Sequence, residues 1–255
     1  MRYGSFTPPR TTTPPPTLPP LIPAAHTLAM DINEVLISAP AAQPPMIVID
    51  DFDSRRVRFG PIVPSKVGGG KLIEVYYLTK ADVLVKPVIT TTKLRVPFDT
   101  KPYPGSDSLN LVMNLPESSA LFHTLRRLDG LTLKVYHHLM GSKKSIDVYE
   151  ELQSKMLTIK PDSKYDATFK MKLTASTQIK DIESKAVIEA QNLRSGDAYA
   201  QFLLSQIWIM PQGNFGLQGR ALRVKWLPFV NKIDALGDWT VAEEAAPSLI
   251  SQFSD

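Results

Sequence analysis

Residues 200–226 read AQFLLSQIWIMPQGNFGLQGRALRVKW. Two long runs, Tyr199 to Met210 and Leu217 to Leu227, are rich in aromatic and aliphatic residues that suit a pleated, half-buried surface. Between them, Pro211-Gln212-Gly213-Asn214 supplies turn residues, so the stretch predicts a β-hairpin. Successive side chains on a strand point to opposite faces. Arg223 and Lys225 therefore project to one side, and Trp208 faces opposite to Ile207 and Ile209. The alternation leaves open which of these two faces is the core.

Upstream, short β-like runs repeat. Met46 to Ile49 is apolar and ends in Asp50-Asp51, and Arg55 to Phe59 alternates charged and apolar residues. Gly68-Gly69-Gly70 makes a turn into Leu72 to Leu78. Val83 to Thr92, Leu94 to Phe98, Leu109 to Leu115 and Thr132 to His137 are further strand candidates. Phe169 to Leu173 alternates apolar residues with lysine, and Glu150 to Ile159 reads as a strand or a short helix. One helix is expected over about residues 116–129. Pro116-Glu117-Ser118 supplies its start, Leu121, Phe122, Leu125 and Leu128 its apolar face, and Asp129-Gly130 its stop. Many short strands with turn signals and one helix predict a mainly β barrel or sandwich.

The ends differ from this body. Residues 1–45 hold eleven of the 22 prolines, which lack the amide N–H a sheet needs and fix φ. They read as an extended, Pro-rich arm, with one or two helical turns at Ala29 to Leu36. Residues 234–255 carry five acids and no Lys or Arg, so of the net charge of +4 the remainder of the chain holds +9. The three parts expected are an arm (1–45), a folded domain (46–233) and an acidic C-terminal tail (234–255). No stretch approaches 18 apolar residues, so no membrane-spanning helix is expected. The N-terminus has no charged start followed by an apolar stretch, so no signal peptide is expected either.

Reaction chemistry does not assemble. There is no cysteine, hence no thiolate nucleophile or thiolate metal site. His26, His123, His137 and His138 have no completing ligand set, and no metal or cofactor is expected. Gly68-Gly69-Gly70-Lys71 lacks the spacing of a phosphate-binding loop, and Leu72 stands where that loop needs a hydroxyl. The chain is not read as an enzyme. What accumulates instead is cation beside aromatic. Lys134 and Tyr136 precede Lys143-Lys144; Lys164-Tyr165 precedes Phe169, Lys170 and Lys172; Arg220, Arg223 and Lys225 precede Trp226. Lys170 and Lys172 share one face of their strand, with Phe169 and Met171 on the other. Binding of single strands without sequence preference needs cations for phosphates and aromatic faces for unstacked bases. The alternative is that Trp208, Phe215 and Trp226 are packing residues and the lysines solvate a surface.

Four blocks taken in order resemble a known family. They are VRFGPIVPSKVGGGKLIEVYY (57–77), PVITTTKLRVPFDTKPY (87–103), SKMLTIKPDSKYDATFKMKLT (154–174) and the hairpin quoted above. Together they resemble the single-stranded DNA-binding proteins of large eukaryotic DNA viruses. Two departures stand out: Asp99 where that pattern has a glycine after Pro-Phe, and Gln218-Gly219 where it has larger strand residues. The resemblance implies an OB-fold-like β-barrel with a groove lined by cations and aromatics. Phosphates would be held by Lys93, Arg95, Lys134, Lys143, Lys144, Lys164, Lys170, Lys172, Arg220, Arg223 and Lys225. Tyr136, Tyr165, Trp208 and Phe215 would stack bases. It also implies that the acidic tail competes with nucleic acid or recruits replication proteins.

The expected function is therefore non-sequence-specific binding of single-stranded DNA, with RNA as the other strand type, in replication, recombination or repair. Self-association is an open expectation, no membrane partner is expected, and the location would be a cytoplasmic or nuclear replication site in an infected cell. The competing reading is a viral capsid or nucleocapsid subunit with a threading arm. Against it, the arm holds only Arg2 and Arg10 as basic residues before residue 55.

Overall fold

The two longest strands, β10 (Gly196–Ile209) and β11 (Phe215–Pro228), form the predicted antiparallel hairpin and the spine of the molecule. The computed structural model describes residues 31–66, 68–100, 109–141, 156–159, 166–211 and 213–229. The other strands are β1 (Met46–Val48), β2 (Val57–Pro64), β3 (Lys71–Leu78), β4 (Leu84–Thr90), β5 (Leu94–Val96), β6 (Leu109–Leu115), β7 (Leu157–Thr158), β8 (Ala167–Leu173) and β9 (Gln178–Asp181). Among the described residues two α-helices accompany them, α1 (Ile32–Val35) and α2 (Ala120–Met140), with 3-10 turns at Ser54–Arg56 and Ala190–Asn192.

The strands form one sheet in the order β1-β4-β3-β10-β11-β8-β6. One edge of β10 serves three partners in turn: β5 at Gly196 to Ala198, β4 at Gln201 to Leu203 and β3 at Gln206 to Ile209. Along its far edge, β11 meets β8 at Gly219 and Arg220 and β9 at Arg223 to Trp226, both in parallel. Among the described residues the sheet curls round a single apolar core, and no ladder closes it. The architecture is thus mainly β, an open curled sheet with one long helix.

Two bulges shape the hairpin. Ser205 in β10 and Leu222 in β11 have no partner in the register. Each extra residue shifts the in-out alternation by one. Before the bulge in β11 the core-facing residues are Phe215, Leu217, Gly219 and Ala221; after it they are Val224 and Trp226. The core-facing side of β10 likewise carries Ala198, Ala200, Phe202 and Leu204, then Ile207 and Ile209. This settles the Trp208 ambiguity: Ile207 and Ile209 face the core, and half-buried Trp208 faces out.

The helix corrects the sequence reading. It begins at Ala120, with the Ser119 hydroxyl accepting the Phe122 N–H at 3.1 Å, and runs through Asp129-Gly130 to a left-handed Gly141. The stretch expected to be a strand, Thr132 to His137, is helical. Its residues are β-prone, but Leu131, Thr132, Val135 and Tyr136 extend the buried stripe of Phe122, Leu125 and Leu128 at three- and four-residue spacing. Burial along that stripe outweighs local propensity and a single interior glycine.

Two other differences concern ends of elements. The segment 31–45, assigned to the arm, lies on the body: Val35 is fully buried and the Ile37 N–H donates to the Phe59 carbonyl. Strand β9, around Lys180, has no counterpart in the sequence reading. Both departures from the family pattern have structural reasons. Asp99 accepts the Ser195 N–H at 3.0 Å and lies 3.6 Å from Arg194, fastening the start of β10. Gly219 leaves room for Met156 and Phe202, since a Cβ there would sit 2.8 Å from the Met156 methyl.

Candidate nucleic-acid interface

The outer side of the spine carries its charges in rows across the sheet. The register places Arg220 beside Lys172 of β8, which in turn faces Asn110 of β6. Lys170 lies one outward position further along β8, beside Val112. Beyond the Leu222 bulge, Arg223 lies between Gln201 and Gln178, and Lys225 between Tyr199 and Lys180. The bulge is what keeps Arg220, Arg223 and Lys225 on one face, because it offsets the odd spacing between the first two.

Two of these neighbour pairs, Arg220 with Lys172 and Lys225 with Lys180, are like charges on adjacent strands. Neighbouring strands run about 4.8 Å apart, and like charges facing each other are destabilising. None of Lys170, Lys172, Lys180, Arg220, Arg223 and Lys225 forms an ion pair with a described carboxylate; the five pairs among the described residues lie elsewhere. The Arg220 Nε is buried and has no hydrogen-bond partner. Lysines often guard exposed sheet edges, but β11 and β8 are interior strands, so edge protection does not account for these charges.

At one end of the face, Arg95 pairs in register with Asp197, and its guanidinium lies over the Phe229 ring at 5.0 Å. Lys93 lies 3.5 Å from Asp197. Aromatic groups flank the cations. Tyr199 is 41% exposed in the Lys225 row, although the sequence reading did not single it out. Trp208 stands at the other end, its ring packed over Gly216, where a Cβ would lie 2.8 Å from Cζ2. The two are nine residues apart on one strand, roughly 30 Å.

The other expected contacts fall elsewhere. Tyr136 and Phe215 are buried and stacked on each other, with centroids 4.0 Å apart and planes at 7°. The Tyr136 hydroxyl donates to the Gly213 carbonyl at 3.1 Å. This corrects their expected role: both rings are spent on holding α2 to the hairpin and offer no face to a base. Lys134 is on α2 rather than on a strand, roughly 200° round the helix from core-facing Tyr136, and not in the cation rows. Trp226 is core, its Nε1–H donating to the Arg194 carbonyl. Lys143, Lys144, Lys164 and Tyr165, like the acidic tail, lie outside the described residues. Missing Lys180 and Tyr199 has one cause: both become members of the face only through pairing register, which the sequence does not display.

Beside the rows, the segment from Gln43 to Met46 borders an open pocket of about 470 Å³ on the same outer side. Glu74 sits there, bonded by Lys86 at 2.8 Å and by the Tyr76 hydroxyl. Burial pushes the Glu74 carboxyl up, but those two bonds outweigh it and hold the group below the usual carboxylate range. Burial, with the bond to Glu74, pushes the Tyr76 hydroxyl far above its ordinary value. Glu74 is therefore a fixed negative charge at neutral pH. Among the described residues no group of His, Asp or Glu is placed to hold a metal ion.

No protein-family model matches the chain, and no curated protein matches it. Among solved structures, the chain is similar to a C-terminally truncated single-stranded DNA-binding protein from bacteriophage Enc34, at 13% identity. The match covers 67% of this chain and 96% of that one, with a TM-score of 0.38. It is similar to a single-stranded DNA-binding protein encoded by bacteriophage T7, gp2.5, at 13% identity, 58% and 89% coverage and a TM-score of 0.37. The Enc34 protein in complex with single-stranded DNA matches at 14% identity, 67% and 96% coverage and a TM-score of 0.36. All three come from bacteriophages, and none of the matches supports the expected family of large eukaryotic DNA viruses.

Proposed function

We propose that this chain is a binder rather than a catalyst, and that it holds single-stranded DNA across the outer face of β10, β11, β8 and β9 without reading its sequence. One observation carries the reading: Lys170, Lys172, Lys180, Arg220, Arg223 and Lys225 share a face, lie next to one another and have no described counter-ion. Crowded like charges cost stability, and a polyanion relieves that cost while releasing its own counterions. Tyr199, and Trp208 at the far end, supply ring faces for bases that are free to unstack. A duplex keeps its bases inside the stack and gains nothing from those rings. The sequence blocks favour a role in replication, recombination or repair of a viral genome.

The test is fluorescence anisotropy with labelled oligo-dT, oligo-U and a duplex at two salt concentrations. The expected result is tight oligo-dT binding that weakens with salt, with the duplex a poor competitor. Charge reversal at Lys172, Arg223 and Lys225 should reduce oligo-dT affinity by at least tenfold while circular dichroism stays unchanged. Full affinity in that folded variant would place the strand elsewhere, and stronger binding of oligo-U would make RNA the partner.

A further inference from the structure

The pocket at the side of the cation rows has a composition unlike theirs. Six of its lining residues matter: Glu74, Lys86, Leu203, Arg220 and Met46 on the sheet, and Pro44 just before β1. Phosphate is a poor occupant, because Lys86 is already tied to Glu74 and the free part of that carboxylate would repel it. What remains is a negative acceptor, a positive donor and walls shared by apolar side chains and the polar Gln43, Ser205 and Gln206.

Their separation is set by the sheet. Glu74 pairs with Gln206, Gln206 pairs with Gln218, and Arg220 lies two residues beyond. That is two strands across, roughly 10 Å, and about 7 Å along, so about 12 Å between backbones. Both side chains stand off the same face, on either side of the hydrogen-bonded Gln206 and Gln218 amides, and one flat heterocycle lying over those amides would reach both. Glu74 is 46% exposed, and each of its oxygens, though already bonded once, keeps a lone pair to offer. The buried Arg220 Nε has no hydrogen-bond partner, and no described carboxylate pairs with the guanidinium. Leu203, on the outer side of β10, is 4% exposed and forms part of the floor.

We infer that this pocket is a subsite for a single guanine base of the bound strand. Guanine has two adjacent N–H donors, N1 and N2, that suit a carboxylate, and two adjacent acceptors, O6 and N7, that suit a guanidinium. Thymine presents one N–H between two carbonyls, and adenine and cytosine present no such pair of donors. The base would lie against Leu203 with Pro44 and Met46 at its side. The subsite rests on the single-strand reading above and adds to it a local preference within an otherwise sequence-blind face.

The probes are labelled twelve-residue thymidine strands in which one central base is thymine, guanine, inosine or adenine, titrated into the full chain. Free dGMP and dTMP are titrated by calorimetry alongside. A central guanine should raise affinity roughly tenfold over thymine, the lower part of the range for a good bidentate pair. Inosine, which lacks the N2 amine, should lose most of that gain without any change to the protein. Glu74→Gln should bring the guanine strand down to the level of the inosine strand. Equal binding of the guanine and thymine strands overturns the subsite and leaves the strand-binding face standing. Binding of dGMP over dTMP without any strand binding does the reverse. No binding of any probe overturns both.

Discussion

Two tyrosines illustrate how one residue type is divided between core and surface. Tyr136 is buried, stacked on Phe215, and its hydroxyl is bonded to Gly213. Tyr199 is 41% exposed beside Lys225. Their substitutions should separate cleanly. Tyr199→Ala should lower oligo-dT affinity by roughly tenfold, since a stacked base is worth about 1–3 kcal/mol. Its unfolding free energy should change by no more than about 0.5 kcal/mol, as for a surface residue. Tyr136→Phe should lower stability by about 1 kcal/mol through the lost hydrogen bond and leave affinity unchanged. Denaturant titration and anisotropy on both variants check the pair. The sequence could not make this division. Lys134-Val135-Tyr136 reads as an alternating strand with a ring beside a cation, and only its place on α2 turns that ring inward. Phe169-Lys170-Met171-Lys172 was legible, because strict alternation fixes both faces without a partner.

Elements obey local chemistry where it is unopposed and tertiary packing where it is not. Gly68 and Gly69 take positive φ in the β2–β3 turn, as the glycine run predicts. Gly130 shows the opposite outcome. It is a reasonable stop signal after Asp129, yet the helix passes through it because Leu131, Val135 and Tyr136 beyond it have a core to enter. A glycine inside a helix costs roughly 0.5–1 kcal/mol relative to alanine. At Gly130 an added Cβ meets nothing within 4 Å. Gly130→Ala should therefore stabilise the protein by about 0.5–1 kcal/mol, read as a raised melting temperature at unchanged oligo-dT affinity. A lower melting temperature would mean that the helix is not continuous through this position. The strand candidates were mostly legible because each is a compact apolar or alternating run. Strand β9 was not, since Gln178-Ile179-Lys180-Asp181 has one β-branched residue and becomes a strand by pairing with the far edge of β11.

For the whole molecule, the net charge says less than its arrangement. A value of +4 on 255 residues is unexceptional, but the open curled sheet brings six cations from β8, β9 and β11 onto one side. That arrangement has a measurable signature. For single strands, log Kobs falls with log salt with a slope of about −0.7 per phosphate neutralised. Six engaged cations give a slope of roughly −4. Removing Arg223 and Lys225 by alanine substitution should make the slope shallower by about 1.4, and should weaken binding to all strands alike. Lys80→Ala is the control: Lys80 pairs with Asp51 at 3.3 Å in the β3–β4 turn, and its loss should leave the slope as it was. Equal slopes for the double variant and the parent would mean that these two cations neutralise no phosphate. The like-charge neighbours would then be a burden on the fold that nucleic acid does not relieve. A shallower slope with full stability would tie the charge on this face to its ligand rather than to the architecture.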